Sequence, residues 1–434
     1  MPAKTVHDPL HGSIKLDGLF LELADRHEMQ RLRYVRQLGF GNYVFPGANH
    51  TRFEHSLGVY HLSGKMADAL SLSKEESDTV RAAGMLHDIC HAPFSHTLDD
   101  VIESRLGTDH MELARMLIEG RIKTYQDKDE EILAGTGPIS EILEKNGISA
   151  EKVCDLIAFP EAPRPDLNSF SRDSGQSFFT SGDYLHQIIH GPVDSDQMDY
   201  LLRDAHYTGV THGLIDVERL LSTIRVFNDR LVVEKGGMTA AEGLMVSRSL
   251  MYTSVYYHET VRVAEMMMLK ALEASNLDIG DIHLWTDYEL TLMMENQGKR
   301  SARIVRSIMN RRLYKKAFTG YTADMSEDEI HNLAQYTSYE SRKKLEQEIA
   351  DIADVDISEV AVDIPSESAL FSKISIGKTD VSILDGERVR SITKLSSISK
   401  SLQARDVFRW AVLVSCPADK FEAVAKAAES VLSL

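Results

Sequence analysis

From Asp17 to Ile89 the apolar residues return every three or four positions, a spacing that admits little other than packed amphipathic helices. The pattern runs through LFLELADRHEMQRLRYVRQL, RFEHSLGVYHLSGKMADAL and KEESDTVRAAGMLHDI. Ahead of it, Ser13-Ile14-Lys15-Leu16 alternates as a short strand or hairpin edge does. Between Pro160 and Asp183 the composition turns to Pro, Ser, Gly, Asp and Phe, which predicts a long loop or lid over 160–183. Helices resume in YLHQII and DSDQMDYLLRDAH, and a small hairpin over 222–236 turns at Asn228-Asp229. A second helical block runs from Ala240 to roughly Lys316. From about Asp324 onward, VDISEVAVDI, ALFSKISIG, DVSILDG and RWAVLVSCP read as short strands, closed by the helix DKFEAVAKAAESVLSL. The expectation is a mainly α fold, with a helical domain over 1–320 and a small C-terminal α+β subdomain over 321–434.

A chain of 434 residues with 43% hydrophobic content can bury a large core, so disorder is excluded as a general reading. Its 48 basic against 66 acidic residues give a formal charge of −18, a field that repels phosphate backbones. Nonspecific nucleic-acid binding is therefore disfavoured, and an anionic small substrate requires a local basic cluster. Cys90, Cys154 and Cys416 lie far apart without a paired spacing, so neither a disulfide framework nor a zinc ribbon is indicated. MPAKTVHDPLHG lacks a basic segment followed by an apolar one, and no window offers about 18 uninterrupted apolar residues. These features predict a soluble protein of the reducing cytoplasm, with no membrane partner.

Of the two His-Asp doublets, His7-Asp8 and His87-Asp88, the second ends the apolar helix AAGMLHDI and opens into CHAPFSH. His91, His96 and Asp99 follow closely, flanked by Met85, Leu86, Ile89 and Phe94. Ionisable groups in such apolar company need partners or a metal. A lone histidine on an apolar helix is usually a satisfied core residue; the conjunction is what points to chemistry. His55 in RFEHSLG, His87 with Asp88, and a carboxylate from DSDQMDY would supply two nitrogens and two oxygens and leave room for water. That donor set suits Mg, Mn, Fe, Co, Ni or Zn alike.

The order H, then HD, then D on successive helices resembles the HD-domain phosphohydrolases, and most closely the SAM-and-HD-domain dNTP triphosphohydrolases and their prokaryotic relatives. DPLHGSIKL, QRLRYVRQLGFGNYVFPGANHTRFEHSLGVYHL, MLHDICHAPFSHTLDD, DHMELA and DSDQMDYLLRDAHYTG carry the likeness over Lys4 to Gly209. A weaker likeness continues through SRSLMYTSVYYHE and IMNRRLYKK. The resemblance implies an HD-domain helical bundle that hydrolyses a dNTP to deoxynucleoside and triphosphate, with one divalent metal ion on His55, His87, Asp88 and Asp196. It sets Arg52, His91 and His110 around the phosphates and makes His96 with Asp99 an acid dyad that protonates the departing 5′ oxygen. Gln37, Leu38 and Asp204 match positions that hold the 3′-hydroxyl and crowd out a 2′-hydroxyl. Tyr200 and Tyr256 match pocket walls, and Arg248 a phosphate contact. The alternative for the tyrosines is ordinary helix packing.

Two positions depart from the family pattern. Gln197 stands where relatives carry Lys or Arg, and Tyr252 where the triphosphohydrolases carry His; both changes remove positive character from the triphosphate side. The resemblance also implies a homo-oligomer, dimer or tetramer, with an allosteric guanine nucleotide activator at a subunit junction. Lys4, Asp25, Gln30, Arg33, Arg311 and Lys315 match that site, with Arg311 and Lys315 at i, i+4 spacing for one helix face. The alternative is that QRLRY and RRLYK are solvated helix charges. Two other functions stay open on the sequence: an HD phosphatase or phosphodiesterase for another nucleotide, and a catalytically silent nucleotide-sensing scaffold.

Overall fold

The computed structural model describes residues 3–158, 184–365, 380–403 and 410–432. The loop expected over 160–183 and the strand expected in ALFSKISIG lie outside the described residues. The fold is mainly α, with small sheets at its N-terminus and in its second half.

The chain opens with an antiparallel hairpin, β1 (Lys4–Asp8) and β2 (Gly12–Leu16), which buries Ile14 and Leu16. Its turn is closed by the Asp8 carboxylate, which accepts from the backbone N–H groups of Leu10 and His11 at 2.9 Å each. The periodic run 19–38 is not one helix. It divides into α1 (Gly18–Ala24) and α2 (His27–Arg31), because Arg26 is extended and donates to Glu28 and to the Gly137 carbonyl.

Next come α3 (Arg52–Ala69) and α4 (Lys74–Leu86), each started by a capping box, Thr51 with Glu54 and Ser73 with Glu76. The two pack closely where Gly84 meets α3: a Cβ there would lie 2.9 Å from Ser63 Oγ. Helices α5 (Asp99–Leu106) and α6 (His110–Ile118) follow, and the helix Ser195–Thr208 lies against α3. Strands β3 (Ile224–Phe227) and β4 (Arg230–Glu234) pair across Asn228-Asp229, both left-handed as a tight two-residue turn demands.

The second helical block contains Met238–Met251, Glu259–Glu273, Asp287–Glu295 and Lys299–Met309. It ends before Lys316. Arg311 turns left-handed at φ 53°, and its N–H and that of Arg312 return to the Ile308 and Ser307 carbonyls, satisfying the helix end. Arg311 and Lys315 therefore do not share a helix face: Lys315 begins a strand.

The remaining strands are β5 (Lys315–Tyr321), β6 (Ala361–Asp363), β7 (Ser382–Asp385), β8 (Arg388–Ser391) and β9 (Trp410–Cys416). They divide between two sheets. β7 joins β4 in parallel, giving the order β3-β4-β7-β8, while β5-β9-β6 form an antiparallel sheet packed with the helices Tyr339–Ala353 and Phe421–Leu432. That sheet has its own core, including Leu345, Ile349, Val362, Val412 and Val424, whereas Trp410 and Leu413 of β9 belong to the main one. Among the described residues no helix is long and apolar enough to cross a membrane.

Candidate active site

Three helix ends converge on one buried point. His55 sits in the first turn of α3, His87-Asp88 just past the end of α4, and Asp196 in the first turn of the helix Ser195–Thr208. The His55 Nδ1–H donates to Asp199 Oδ2 at 2.8 Å and the His87 Nδ1–H to the Gly84 carbonyl at 2.9 Å. Both Nε2 atoms are thereby turned inward. Asp196 Oδ1 lies 3.1 Å from His55 Nε2 and 3.9 Å from His87 Nε2, and Asp88 Oδ1 lies 3.4 Å from His87 Nε2. Donor atoms of His55, His87 and Asp88 fall within 4.8 Å of one another.

The charges fit a cation. Burial alone would lower the His55 imidazole, but contact with Asp196, and then Asp199 and Asp88, pushes it up to about 10. Carboxylates that force a proton onto a buried imidazole create the field a divalent ion answers. Burial would likewise raise Asp88, yet Arg52, His87 and His91 hold its carboxyl well below the usual range. Arg52 donates to Asp88 Oδ2 at 2.6 Å and to Ser95 Oγ at 2.9 Å.

Beside this point the turn after α4 gathers three imidazoles. His91 stacks on His110 at 4.1 Å between ring centroids and meets the edge of His96 at 4.7 Å. Burial, with Arg52 and His110 adding to it, drives His91 well below its ordinary pKa. Its Nε2 lies 3.2 Å from Asp88 Oδ1, and its buried Nδ1 has no partner among the described residues. The His96 Nδ1–H donates to Asp99 Oδ2 at 2.8 Å. Donor atoms of His91, Asp99 and His110 also lie within 4.8 Å of one another.

Next to these residues is a cavity of about 240 Å³, lined by Gln37, Leu38, Arg52, His96, Tyr200, Asp204, Tyr252 and Tyr256. Its aromatic wall depends on a π-helical turn, Tyr252–Tyr256, in which Thr253 and Ser254 hydroxyls donate back to the Ser249 and Leu250 carbonyls. Asp204 accepts from Tyr256 OH at 2.7 Å and from His50 Nε2–H at 2.8 Å. Gln37 Oε1 and Arg248 Nε and Nη1 are buried without partners among the described residues, and Arg248 lies over the Tyr252 ring. Buried polar atoms of this kind are rare unless something else meets them.

Gln197 stands beside Asp196 in the first turn of the same helix. It is wholly buried, its amide donating to the Gly191 carbonyl at 2.8 Å and Asp194 Oδ2 at 3.1 Å, and it does not line the cavity. Among the regulatory candidates, Lys4 pairs with Asp25 at 3.2 Å and Arg33 Nε–H donates to Gln30 Oε1 at 2.8 Å. Arg311 and Lys315 line a separate cavity of about 460 Å³. No hydrogen bond or ion pair among the described residues joins the two groups.

Several participants carry no sequence signal strong enough to name them. Asp199 stands three residues after Asp196 in DSDQMDY, and that spacing was its only hint. Tyr257, just past the π-helical turn, and Arg262 and Glu265, on a helix that reads as ordinary amphipathic sequence, also line the cavity.

Residues 52–158 match the HD domain and residues 215–434 the HD associated region. An uncharacterized protein of Methanocaldococcus jannaschii is 29% identical over 427 residues, covering 96% of this chain and 80% of that one. Deoxynucleoside triphosphate triphosphohydrolase SAMHD1 of Homo sapiens is 30% identical over 285 residues, covering 62% of this chain and only 44% of its own length. The crystal structure of a hypothetical protein from Aquifex aeolicus superposes with a TM-score of 0.66 at 26% identity, covering 98% of this chain and 100% of that one. The chain belongs to the HD-domain phosphohydrolase superfamily, with an HD domain followed by its HD associated region.

Proposed function

We propose that this protein is a metal-dependent deoxynucleoside triphosphate triphosphohydrolase, converting a dNTP and water to deoxynucleoside and triphosphate. One observation supports the reading most: Arg52, hydrogen-bonded to Asp88, and His96, packed on His91 and held by Asp99, both line the cavity beside the His/Asp cluster. The name of the human relative points the same way.

His55, His87, Asp88 and Asp196 would hold the divalent ion, which when bound supplies Lewis acidity and activates water near neutral pH. Arg52, kept in place by Asp88 and Ser95, faces charge that grows on the α-phosphate. Asp99 fixes the Nδ1–H tautomer of His96, so its Nε2 can carry the proton that goes to the departing 5′ oxygen. Gln37 Oε1 is available to accept from a 3′-hydroxyl, Leu38 takes the space of a 2′-hydroxyl, and Tyr200 and Tyr256 wall the sugar and base. Arg248, with two unmet donors, and the imidazoles of His91 and His110 are left for phosphate oxygens.

A second reading, an HD phosphatase or phosphodiesterase for another nucleotide, is favoured by Gln197, which brings no cation to the phosphate side, and by Tyr252. Incubation with dNTPs and NTPs in several divalent metals, with products separated by chromatography, decides the matter. Deoxynucleoside plus intact triphosphate is the expected pair; monophosphate or inorganic phosphate as first product would select the second reading.

A further inference from the structure

We propose that the turn of the N-terminal hairpin is a working part of the metal centre, in which His11 and Asp8 act as positioning residues that set its affinity for a divalent cation. This rests on the reading of His55 as a ligand.

The link is Asp199, a fully buried carboxylate that the proposed reaction does not use directly. Each of its oxygens accepts twice. Oδ2 takes the His55 Nδ1–H at 2.8 Å and the Arg203 Nε–H at 2.8 Å; Oδ1 takes the His11 Nε2–H at 2.7 Å and an Arg203 Nη2–H at 2.9 Å. Arg203 in turn donates through Nη1 to Asp8 Oδ2 at 2.8 Å, while Asp8 Oδ1 shapes the hairpin turn that carries His11. Asp8 and His11 of DPLHG therefore both grip the carboxylate, His11 directly and Asp8 through Arg203.

The approach is close enough to depend on a glycine. Gly58 lies one turn after His55 on α3, and a Cβ there would overlap Asp199 Oδ1 and crowd Arg203. A carboxylate held this way orients its imidazole and raises the basicity of the inward nitrogen, which is why partners of a ligating histidine affect metal retention nearly as the ligands do. Removing the His11 donor leaves Asp199 free to tilt towards Arg203, and His55 Nε2 then loses its fixed direction.

The test strips the protein and its His11→Leu, His11→Gln and His87→Ala variants with chelator, then titrates each with Mn(II), reading free Mn(II) by EPR. Melts of the stripped forms report folding. His11→Leu should weaken Mn(II) binding by roughly 10- to 100-fold. His11→Gln, whose amide N–H can reach the same oxygen, should recover most of that loss. Lowered melting temperatures with parental Mn(II) affinity in His11→Leu would overturn the proposal, because His11 would then be structural alone. If His11→Leu does not fold, Asp8→Asn decides: its Oδ1 still closes the turn but Arg203 loses a carboxylate, and parental affinity there is equally fatal. Loss of Mn(II) in His87→Ala with retention in His11→Leu removes only this proposal; retention in His87→Ala removes the ligand reading itself.

Discussion

Each residue at the metal-competent cluster is held by a second one, so single substitutions separate the roles. His87→Ala or Asp196→Ala should lose both metal retention and hydrolysis, since three remaining donors hold an ion poorly. Elemental analysis of the purified variants checks this, and full occupancy with parental turnover in either would remove it from the ligand set. His96→Ala should keep its metal and slow the chemical step by about 10² to 10⁴, with a smaller effect of the same kind for Asp99→Asn. Single-turnover kinetics resolve that step from binding. The sequence exposed His55, His87-Asp88 and Asp196 because each stands out against apolar helix. It concealed Asp199 and His11, because a buried hydrogen bond between residues 188 positions apart leaves no local pattern.

The element on which the chemistry turns is the segment after α4, where Phe94 and Ser95 both adopt left-handed backbone, φ 60° and 57°. Two adjacent non-glycine residues there cost roughly 1 kcal/mol or more each and persist only if surroundings dictate them. The HD associated region dictates them. Asp287 accepts from the Phe94 N–H at 2.7 Å and the Arg36 N–H at 3.1 Å, while Arg31 donates to the Ile89, His91 and Trp285 carbonyls. Burial raises the Asp287 carboxyl to about 6, against those two backbone donors and the charge of Arg36. A folded-state value raised above the ordinary one gives stability that is full below about pH 4 and lost as pH climbs through about 6. The native protein should therefore lose up to about 3 kcal/mol relative to Asp287→Ala across that window. Urea unfolding of both proteins at several pH values between 4 and 8 measures it, and a constant difference would show that Asp287 does not titrate there. The helices and the Asn228-Asp229 hairpin were legible from period and turn chemistry. The end of the second helical block at Met309 was not, because Arg311 takes a left-handed position that sequence rules reserve for glycine or asparagine.

At the scale of the whole molecule, a formal charge of −18 has one strong exception. Residues 299–316 contain eight Lys or Arg and no acidic residue, the local basic cluster that an anionic ligand of this acidic chain would require. Asp356 and Glu359 neutralise Arg300 and Arg303 across the cavity of about 460 Å³, which leaves Arg311, Arg312 and Lys315 on its wall. On the N-terminal side, Lys4 and Asp25, and Arg33 and Gln30, are paired at an exposed edge. In the regulatory reading one nucleotide touches all six candidates where a second subunit brings the two surfaces together. A carboxylate such as Asp25 can read the N–H groups of a guanine edge, and the cations of the other surface can hold its phosphates. A ligand bound across the junction stabilises the assembled form by its differential affinity, which is all that activation requires. GTP should therefore increase the particle mass by light scattering and raise dNTP turnover, and Asp25→Ala or Arg33→Ala should weaken both responses together. Full turnover without GTP, at a mass that neither GTP nor these substitutions change, would return the six residues to solvated surface charge, since a junction that binds nothing has no means of favouring the assembly.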